Sequence, residues 1–265
     1  MRAVALTIAG SDPSGGAGIQ ADLKTFHQFG VYGEAVITLL TVQNTTRVER
    51  VDCVSPEMVL EQLRCVLDDI PPDAAKTGAL GNRWIVEAVA EAAALFRFPL
   101  VVDPVMISKH GMPLMPDEAR SAVLTRLLPH ATLLTPNLHE AAALTGREVR
   151  DVKGMREAAR RLVDTGARAV LVKGGHLREA PTDVLLADGE WYEFPALRID
   201  TLHTHGTGCT YSVAITAELA RGTPLPSAVA HAKAYIWEAI FSNPRLGRGA
   251  GPVNHHAATG IALPA

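Results

Sequence analysis

Long hydrophobic runs are missing from this chain of 265 residues. The apolar stretch near the N-terminus, Ala3 to Ala9, is too short to span a bilayer or to form the apolar region of a signal peptide. Runs of Lys or Arg are also missing, and the formal net charge is only −3. Because a nucleic-acid partner would need a basic stripe, we expect neither a nucleic-acid partner nor a membrane partner.

Cysteine is scarce as well, with three residues, Cys53, Cys65 and Cys209, in no C-x-x-C spacing. Neither a disulfide framework nor a zinc site is expected from an odd, scattered set. Free thiols are typical of a reducing compartment, so we expect a cytoplasmic location.

Apolar segments of strand length alternate with segments of helical spacing along the whole chain. The predicted parallel strands are Val4–Ala9, Ala35–Thr41, Ala74–Thr77, Leu100–Asp103, Ala131–Leu134 and Ala169–Lys173. The predicted helices are Ala21–Phe29, Pro56–Asp69, Trp84–Phe96, Asp117–Leu128, Leu138–Leu144, Met155–Asp164, Thr210–Ala220 and Ser227–Phe241. This alternation predicts an α/β fold with a mostly parallel central sheet and helices on both faces.

A different pattern follows the last parallel strand. Two short segments, Asp183–Ala187 and Glu190–Phe194, flank the turn signal Asp188-Gly189 and predict an antiparallel edge. No linker, composition break or repeat divides the sequence, so we predict a single domain over residues 1–265.

Polar residues follow the predicted strands, where ligands bind in sheets of this kind. They are Asp12, Gln43, Thr77, Asp103, Asn137 and Lys173. This clustering at one edge of the sheet predicts an enzyme.

The segment Gly206-Thr207-Gly208-Cys209 directly precedes an apolar helix. Backbone N–H groups at a helix N-terminus form an anion site, and a transferring phosphoryl group is the anion we expect there. A thiol in this position has a lowered pKa and could act as a base. The alternatives are a flexible glycine turn and a cysteine that only packs in the core.

Asp103, Asn137 and Glu140 supply oxygen ligands that suit Mg²⁺ held against phosphates, mostly through water. Lys173 offers a cation that could bridge ATP phosphates. The alternative for Asp103 and Asn137 is a role as turn or cap residues.

Other segments carry weaker signals. The glycine-rich residues 10–18 do not have the G-x-G-x-x-G spacing, so we expect them to let a substrate lie against the backbone, with Asp22 as a polar contact. His203 and His205 are expected at the surface or beside a substrate, and His255 in solvent. Because no P-loop, G-x-S-x-G or protein-kinase signature is present, phosphoryl transfer depends on the whole set of residues.

The chain resembles a known family in seven segments that occur in the expected order and cover nearly the whole sequence. They are AGSDPSGGAGIQADLK (9–24), LTVQNT (40–45), KTG (76–78), VDPVM (102–106), TPN with the following EA (135–141), KGGH (173–176) and GTGCT (206–210). These segments are similar to those of the bacterial hydroxymethylpyrimidine/phosphomethylpyrimidine kinases of thiamine biosynthesis, which are ribokinase-like.

The resemblance implies ATP- and Mg²⁺-dependent phosphorylation of 4-amino-5-hydroxymethyl-2-methylpyrimidine and then of its monophosphate. It also implies a homodimer without a separate lid domain. Leu80 is a departure, because the family carries Met there. The implied pyrimidine pocket contains Asp22, Val42, Gln43, Leu80 and Val105. The implied anion hole contains Gly206, Thr207 and Gly208, with Cys209 in the place of an aspartate base. The implied nucleotide and metal residues are Asp103, Asn137, Glu140 and Lys173.

Two alternatives stay open. A pyridoxal kinase would share the glycine-cysteine loop and a ring substrate with a hydroxymethyl group. Gln43 favours the pyrimidine, because an amide can pair with an aminopyrimidine edge as donor and acceptor. A catalytically silent ligand sensor would keep the pocket, but the full set of polar residues argues against it.

Overall fold

The computed structural model describes residues 3–109, 111–260 and 263. The strands are β1 (Val4–Ser11), β2 (Tyr32–Gln43), β3 (Val48–Cys53), β4 (Ala74–Thr77), β5 (Leu100–Val102), β6 (Leu133–Leu134), β7 (Ala169–Val172), β8 (Asp183–Ala187) and β9 (Glu190–Phe194). The α-helices are α1 (Gly18–Gln28), α2 (Pro56–Asp69), α3 (Arg83–Ala93), α4 (Asp117–Ala122), α5 (Leu138–Thr145), α6 (Val152–Asp164), α7 (Thr207–Ala220) and α8 (Leu225–Phe241).

All nine strands form one sheet, in the order β3-β2-β1-β4-β5-β6-β7-β8-β9. The six strands β2, β1, β4, β5, β6 and β7, neighbours in this order, are parallel to one another, which confirms the predicted mostly parallel sheet. The hairpin of β8 and β9 confirms the predicted antiparallel edge, and both of its turn residues, Asp188 and Gly189, have positive φ. A second antiparallel edge, β3 paired with β2, was not predicted.

Helices cover both faces of the sheet, as predicted. One apolar cluster joins the sheet to α2, α3, α4, α5 and α6. A second cluster joins the opposite face to α1, α7 and α8. Within the described residues no segment forms a lid separate from this body, and no helix is both long and apolar enough to cross a membrane.

The sheet has its topological switch point at β1. The chain moves from β1 outward to β2 on one side and later returns to place β4 on the other side. Ligands bind at the carboxyl ends of strands at such a point. The segments that follow β1 and β4, and the N-terminus of α7, are therefore where a site is expected.

Candidate active site

The N-terminus of α7 forms the centre of the site. Helix α7 begins at Thr207, three residues earlier than predicted, so Thr207, Gly208 and Cys209 form its first turn rather than a flexible loop. Gly206 is the N-cap, with a φ of 77°. A side chain at Gly208 would place its Cβ 3.5 Å from Lys173 Nζ and 3.9 Å from Asp103 Oδ2. The structure thus brings the predicted anion site and two predicted nucleotide residues together.

Asp103 and Lys173 form a buried ion pair at the carboxyl ends of β5 and β7. Lys173 Nζ lies 2.9 Å from Asp103 Oδ1. Thr135 and Ser212 donate hydrogen bonds to the same carboxylate at 3.3 and 3.1 Å. Burial alone would raise the pKa of Asp103, but Lys173, Lys76 and the hydrogen bond from Ser212 hold it below its ordinary value. Sequence reasoning missed Ser212, which lies inside an apolar helix.

Asn137 and Glu140 cap the N-terminus of α5, as the alternative reading of Asn137 anticipated. Asn137 Oδ1 accepts a hydrogen bond from Glu140 N at 2.9 Å, and Glu140 Oε2 accepts one from Asn137 N at 2.8 Å. The cap also fixes Glu140 beside the ion pair. Burial raises the pKa of Glu140 to about 7, with Asp103 adding to the rise and Lys173 opposing it.

The carboxylates fit the expected Mg²⁺ in one respect. Asp103 and Glu140 share Lys173, and burial together with the Asp103 carboxylate raises the pKa of Glu140, so a divalent cation nearby would favour its ionised form. Among the residues described, no group of three or more His, Cys, Asp or Glu side chains could hold a metal directly. Two carboxylates beside one lysine suit a Mg²⁺ ion whose other ligands are water and phosphate oxygens.

Cys209 contradicts one prediction. Burial raises the pKa of its thiol to about 11, although Lys76 and the Gly18 backbone N–H oppose the rise. The expected lowering of the thiol pKa is wrong, because burial and the carboxylates of Asp22 and Asp103 outweigh the favourable groups. The thiol is therefore mostly protonated at neutral pH in the free protein.

Asp22 lies below the site rather than on its surface. Its side chain has 0% exposure, both oxygens lie 2.8 Å from Lys76 Nζ, and Thr7 donates to one of them at 2.6 Å. The implied contact with a substrate is therefore corrected to an ion pair with Lys76. Leu80 is also buried, with 1% exposed, in the apolar cluster that joins the sheet to α2 and α3. Sequence reasoning missed the part played by Lys76, although residues 76–78 carried part of the resemblance.

The remaining pocket residues keep accessible surface. Val42 is 45% exposed on the hairpin of β2 and β3, while Gln43 and Val105 are partly buried. Thr41 donates a hydrogen bond to the Ser11 carbonyl at 2.9 Å, which ties the end of β2 to the end of β1. These positions suit a substrate that lies between the hairpin and the glycine-rich loop.

Two of the three histidine predictions need correction, those for His205 and His255. His205 is buried, and its Nε2 lies 2.8 Å from Asp12 Oδ2, so it is neither on the surface nor free to contact a substrate. His203 accepts a hydrogen bond from Gly251 N at 3.1 Å. His255, expected in solvent, is buried with its Nε2 3.3 Å from Thr210 Oγ1.

Comparison with known proteins gives one family. Residues 12–254 match the sequence profile described as phosphomethylpyrimidine kinase. A hydroxymethylpyrimidine/phosphomethylpyrimidine kinase of Rhizobium meliloti (strain 1021) is 49% identical over 259 residues, which cover 96% of this chain and 97% of that protein.

Two solved structures extend the comparison. An ADP complex of Bacillus subtilis pyridoxal kinase has a TM-score of 0.89 and 39% identity, with 97% of this chain and 98% of that chain covered. A phosphomethylpyrimidine kinase of Clostridium difficile 630 has a TM-score of 0.81 and 40% identity, with 90% and 100% covered. The chain is a ribokinase-like kinase and belongs to the phosphomethylpyrimidine kinase family.

Proposed function

We propose that this kinase transfers the γ-phosphoryl group of ATP to the hydroxymethyl group of 4-amino-5-hydroxymethyl-2-methylpyrimidine, and then phosphorylates the monophosphate to the diphosphate. The observation that carries the proposal is the first turn of α7, whose Gly208 lies against Lys173 and Asp103. N–H groups at a helix start and one lysine supply the electrostatic stabilisation that phosphoryl transfer needs.

In the first step the substrate hydroxyl oxygen attacks the γ-phosphorus, and the bond from that phosphorus to the oxygen of ADP breaks. The N–H groups of Thr207 and Gly208 bind the transferring group, and Lys173 neutralises charge on the phosphates. The hydroxyl proton passes to the thiolate of Cys209, which Lys76 and the Gly18 N–H favour. Because only the ionised thiol can accept this proton, the scarcity of the thiolate limits the rate of this step at neutral pH.

Mg²⁺ and the nucleotide belong to the same proposal. Glu140 and Asp103 would hold the ion through water, while Asn137 fixes the Glu140 side chain. When bound, the ion would neutralise the phosphate oxygens. Burial alone would lower the pKa of Lys173, but Asp103 and Glu140 raise it above its ordinary value, so the lysine stays charged. The charged lysine in turn keeps Asp103 ionised.

A pyridoxal kinase is the second candidate, because the Bacillus subtilis pyridoxal kinase has nearly the same fold. Identity favours the pyrimidine, at 49% for the Rhizobium meliloti enzyme against 39% for the pyridoxal kinase. The test is a panel of the hydroxymethylpyrimidine, its monophosphate and pyridoxal with purified protein, ATP and Mg²⁺. We expect the highest kcat/KM on the two pyrimidines. A higher kcat/KM on pyridoxal would contradict the proposal. No turnover on any of the three compounds would favour a catalytically silent ligand sensor.

Assembly and location complete the proposal. The resemblance supports a homodimer, which light scattering on the purified protein would test. All three cysteines are free thiols, which supports a reducing, cytoplasmic compartment. Fractionation of cells that express the full chain would test that location.

A further inference from the structure

Asp12 and His205 join the two loops that flank the site. His205 Nε2 lies 2.8 Å from Asp12 Oδ2, and the two side chains are 5% and 2% exposed. Asp12 begins the loop between β1 and α1, and His205 directly precedes Gly206, the N-cap of α7. The pair is therefore a buried bridge between the glycine-rich loop and the start of the anion site.

Each partner is anchored in its own segment. Asp12 Oδ1 accepts a hydrogen bond from Ser14 N at 2.8 Å, and Oδ2 accepts one from Ala17 N at 2.9 Å. The His205 backbone N–H donates to Gly251 O at 3.0 Å, and its carbonyl accepts from Val253 N at 3.3 Å. A change at either end of the bridge would thus be transmitted to backbone rather than to a mobile side chain.

The two loops also touch through their backbones. Gly206 has a φ of 77°, and a Cβ there would lie 1.8 Å from Gly16 O. A Cβ at Gly16 would lie 2.5 Å from His205 Cδ2. Neither contact has room for a side chain, so the position of Gly206 depends on the position of the glycine-rich loop.

The charge state of Asp12 sets the direction of the hydrogen bond. Burial alone would raise the pKa of Asp12, but the hydrogen bonds from His205 and Ser14 outweigh burial and hold it below its ordinary value. An ionised carboxylate only accepts hydrogen bonds, so His205 Nε2 is the donor. A replacement that keeps a donor at the Nε2 position should therefore keep the bridge.

We infer that Asp12 and His205 are positioning residues for phosphoryl transfer, which hold Gly206 and the N–H groups of Thr207 and Gly208 where the transferring group develops its charge. This inference rests on the proposed function. Neither side chain needs to touch the substrate. A displacement of about 1 Å in such donors can lower the rate by about a hundredfold. The pair should therefore affect kcat and leave pyrimidine affinity nearly unchanged.

The first test compares three replacements of His205. The amide nitrogen of Gln reaches the position of His Nε2, whereas the Asn side chain is shorter by one carbon and its amide nitrogen does not. We expect His205→Ala and His205→Asn to lower kcat roughly ten- to a hundredfold, while His205→Gln stays within about threefold of the wild type. Pyrimidine affinity, measured by calorimetry, should change less than about threefold in all three. If His205→Ala fails to fold, the contrast between Gln and Asn still decides the question.

The matched control is His231→Ala. His231 Nδ1 lies 3.4 Å from Glu218 Oε2, and Glu218 is ten residues beyond Gly208, about 15 Å along α7. This variant should keep the wild-type kcat. Because Asp12 and His205 act as a unit, Asp12→Ala with His205→Ala should lose no more activity than the worse single variant. Losses that multiply would contradict the inference, as would an unchanged kcat in His205→Asn or a parallel loss of pyrimidine affinity.

A separate readout distinguishes this inference from the proposed function. ADP with aluminium fluoride and Mg²⁺ mimics the transferring phosphoryl group and needs no pyrimidine. We expect His205→Asn to weaken its binding at least about tenfold relative to ADP alone, and His205→Gln to leave it unchanged. If the wild type fails on the pyrimidines but this pattern holds, the substrate assignment is wrong and the positioning role stands. If the pattern fails while the wild type is active, the positioning role is wrong.

Discussion

Lys76 Nζ lies 2.8 Å from each carboxylate oxygen of Asp22, and both side chains are completely buried beneath the candidate active site. Burial alone would lower the pKa of Lys76, but Asp22, Cys209 and Asp103 raise it above its ordinary value, so the ammonium persists. A buried cation below a thiol favours the thiolate. The pair thus has a structural role and an electrostatic one.

We expect Lys76→Met to destabilise the fold by about 3–5 kcal/mol, because it leaves the Asp22 carboxylate buried without a counterion. The double variant Lys76→Met with Asp22→Leu should be less destabilised than Lys76→Met alone. Urea unfolding measures both. Arg156→Met is the control, because its ion pair with Glu193 is exposed and should contribute less than about 1 kcal/mol. A double variant as unstable as the single one would show that the unpaired charge is not the cause.

Cys209 should matter for one of the two phosphorylations only. The first nucleophile is a hydroxyl that must lose a proton, whereas the second is a phosphate oxygen that is already anionic. We expect Cys209→Ala to lose about two to four orders of magnitude in kcat on the hydroxymethylpyrimidine, and less than about tenfold on the monophosphate. Cys65 is exposed, so Cys65→Ala should keep the wild-type kcat on both substrates. Equal losses in both steps would mean that Cys209 is not a base.

The same role fixes the pH dependence of the first step. Burial raises the pKa of Cys209 to about 11 in the free protein and the base must be deprotonated, so kcat/KM should rise with pH up to the alkaline limit of stability. Cys209→Asp should shift this limb to lower pH, because the ordinary pKa of a carboxyl group lies several units below that of a thiol. A wild-type profile that is flat above neutral pH would contradict the assignment.

The strand and helix patterns predicted most of the fold because each was signalled locally. Ser55 is the N-cap of α2, and Asp188-Gly189 forms the turn of the last hairpin. The predicted bounds of α2, β8 and β9 are the observed ones. Strand β3 was missed because it is polar and half exposed along its length, so no buried face marks it. It pairs with the part of β2 where Leu40 and Val42 are exposed.

Within the site, the sequence predicted which polar residues gather but not how they pair. The carboxyl ends of parallel strands place Asp103 and Lys173 together, and the structure adds their direct contact. Asp22 looked accessible because it lies beside a glycine-rich loop. Only the packing of α1 on β1, whose sheet neighbour is β4, shows that it faces Lys76. The pKa of Cys209 is a balance of burial, charges and hydrogen bonds that helix position alone could not give.

Lys173→Ala and Glu140→Ala should impair turnover far more than pyrimidine binding. Both residues lie on the nucleotide side of the site, where lost charge stabilisation lowers the rate by about two to three orders of magnitude. Chelation of Mg²⁺ by EDTA should abolish turnover in the wild type as well. Lys153→Ala is the matched control, because this lysine is exposed at the start of α6. If calorimetry showed that pyrimidine affinity is lost while turnover stays intact, these residues would belong to the pyrimidine side of the site and not to the nucleotide side.

Gln43→Leu should shift preference away from the aminopyrimidine. Loss of the amide leaves polar groups of the ring edge unpaired, which costs about 1–3 kcal/mol, or roughly five- to 150-fold in kcat/KM. Pyridoxal, which has no aminopyrimidine edge, should be affected less. The ratio of kcat/KM on the two substrates measures the shift. Equal losses on both would mean that Gln43 is structural.

His255 should make the fold sensitive to acid. Burial, together with Lys24, His256 and His205, lowers its pKa to about 4. Above the ordinary histidine pKa, His255 is neutral in both the folded and the unfolded chain, and the fold has its full stability. As pH falls toward 4, the unfolded chain takes up a proton that the buried histidine does not, so stability is lost. At about pH 5 the loss should be about 2 kcal/mol relative to neutral pH.

The test is the difference in unfolding free energy between about pH 7.5 and pH 5, measured by urea unfolding. Other groups titrate in this window, so the wild type alone cannot isolate His255. His255→Gln cannot be protonated and keeps a hydrogen-bonding atom near Thr210, so it should lose about 2 kcal/mol less than the wild type on acidification. His27→Gln is the control, because His27 is exposed and its replacement should leave the pH dependence unchanged. If His255→Gln and the wild type lost stability in parallel, the buried histidine would not be the acid-sensitive group.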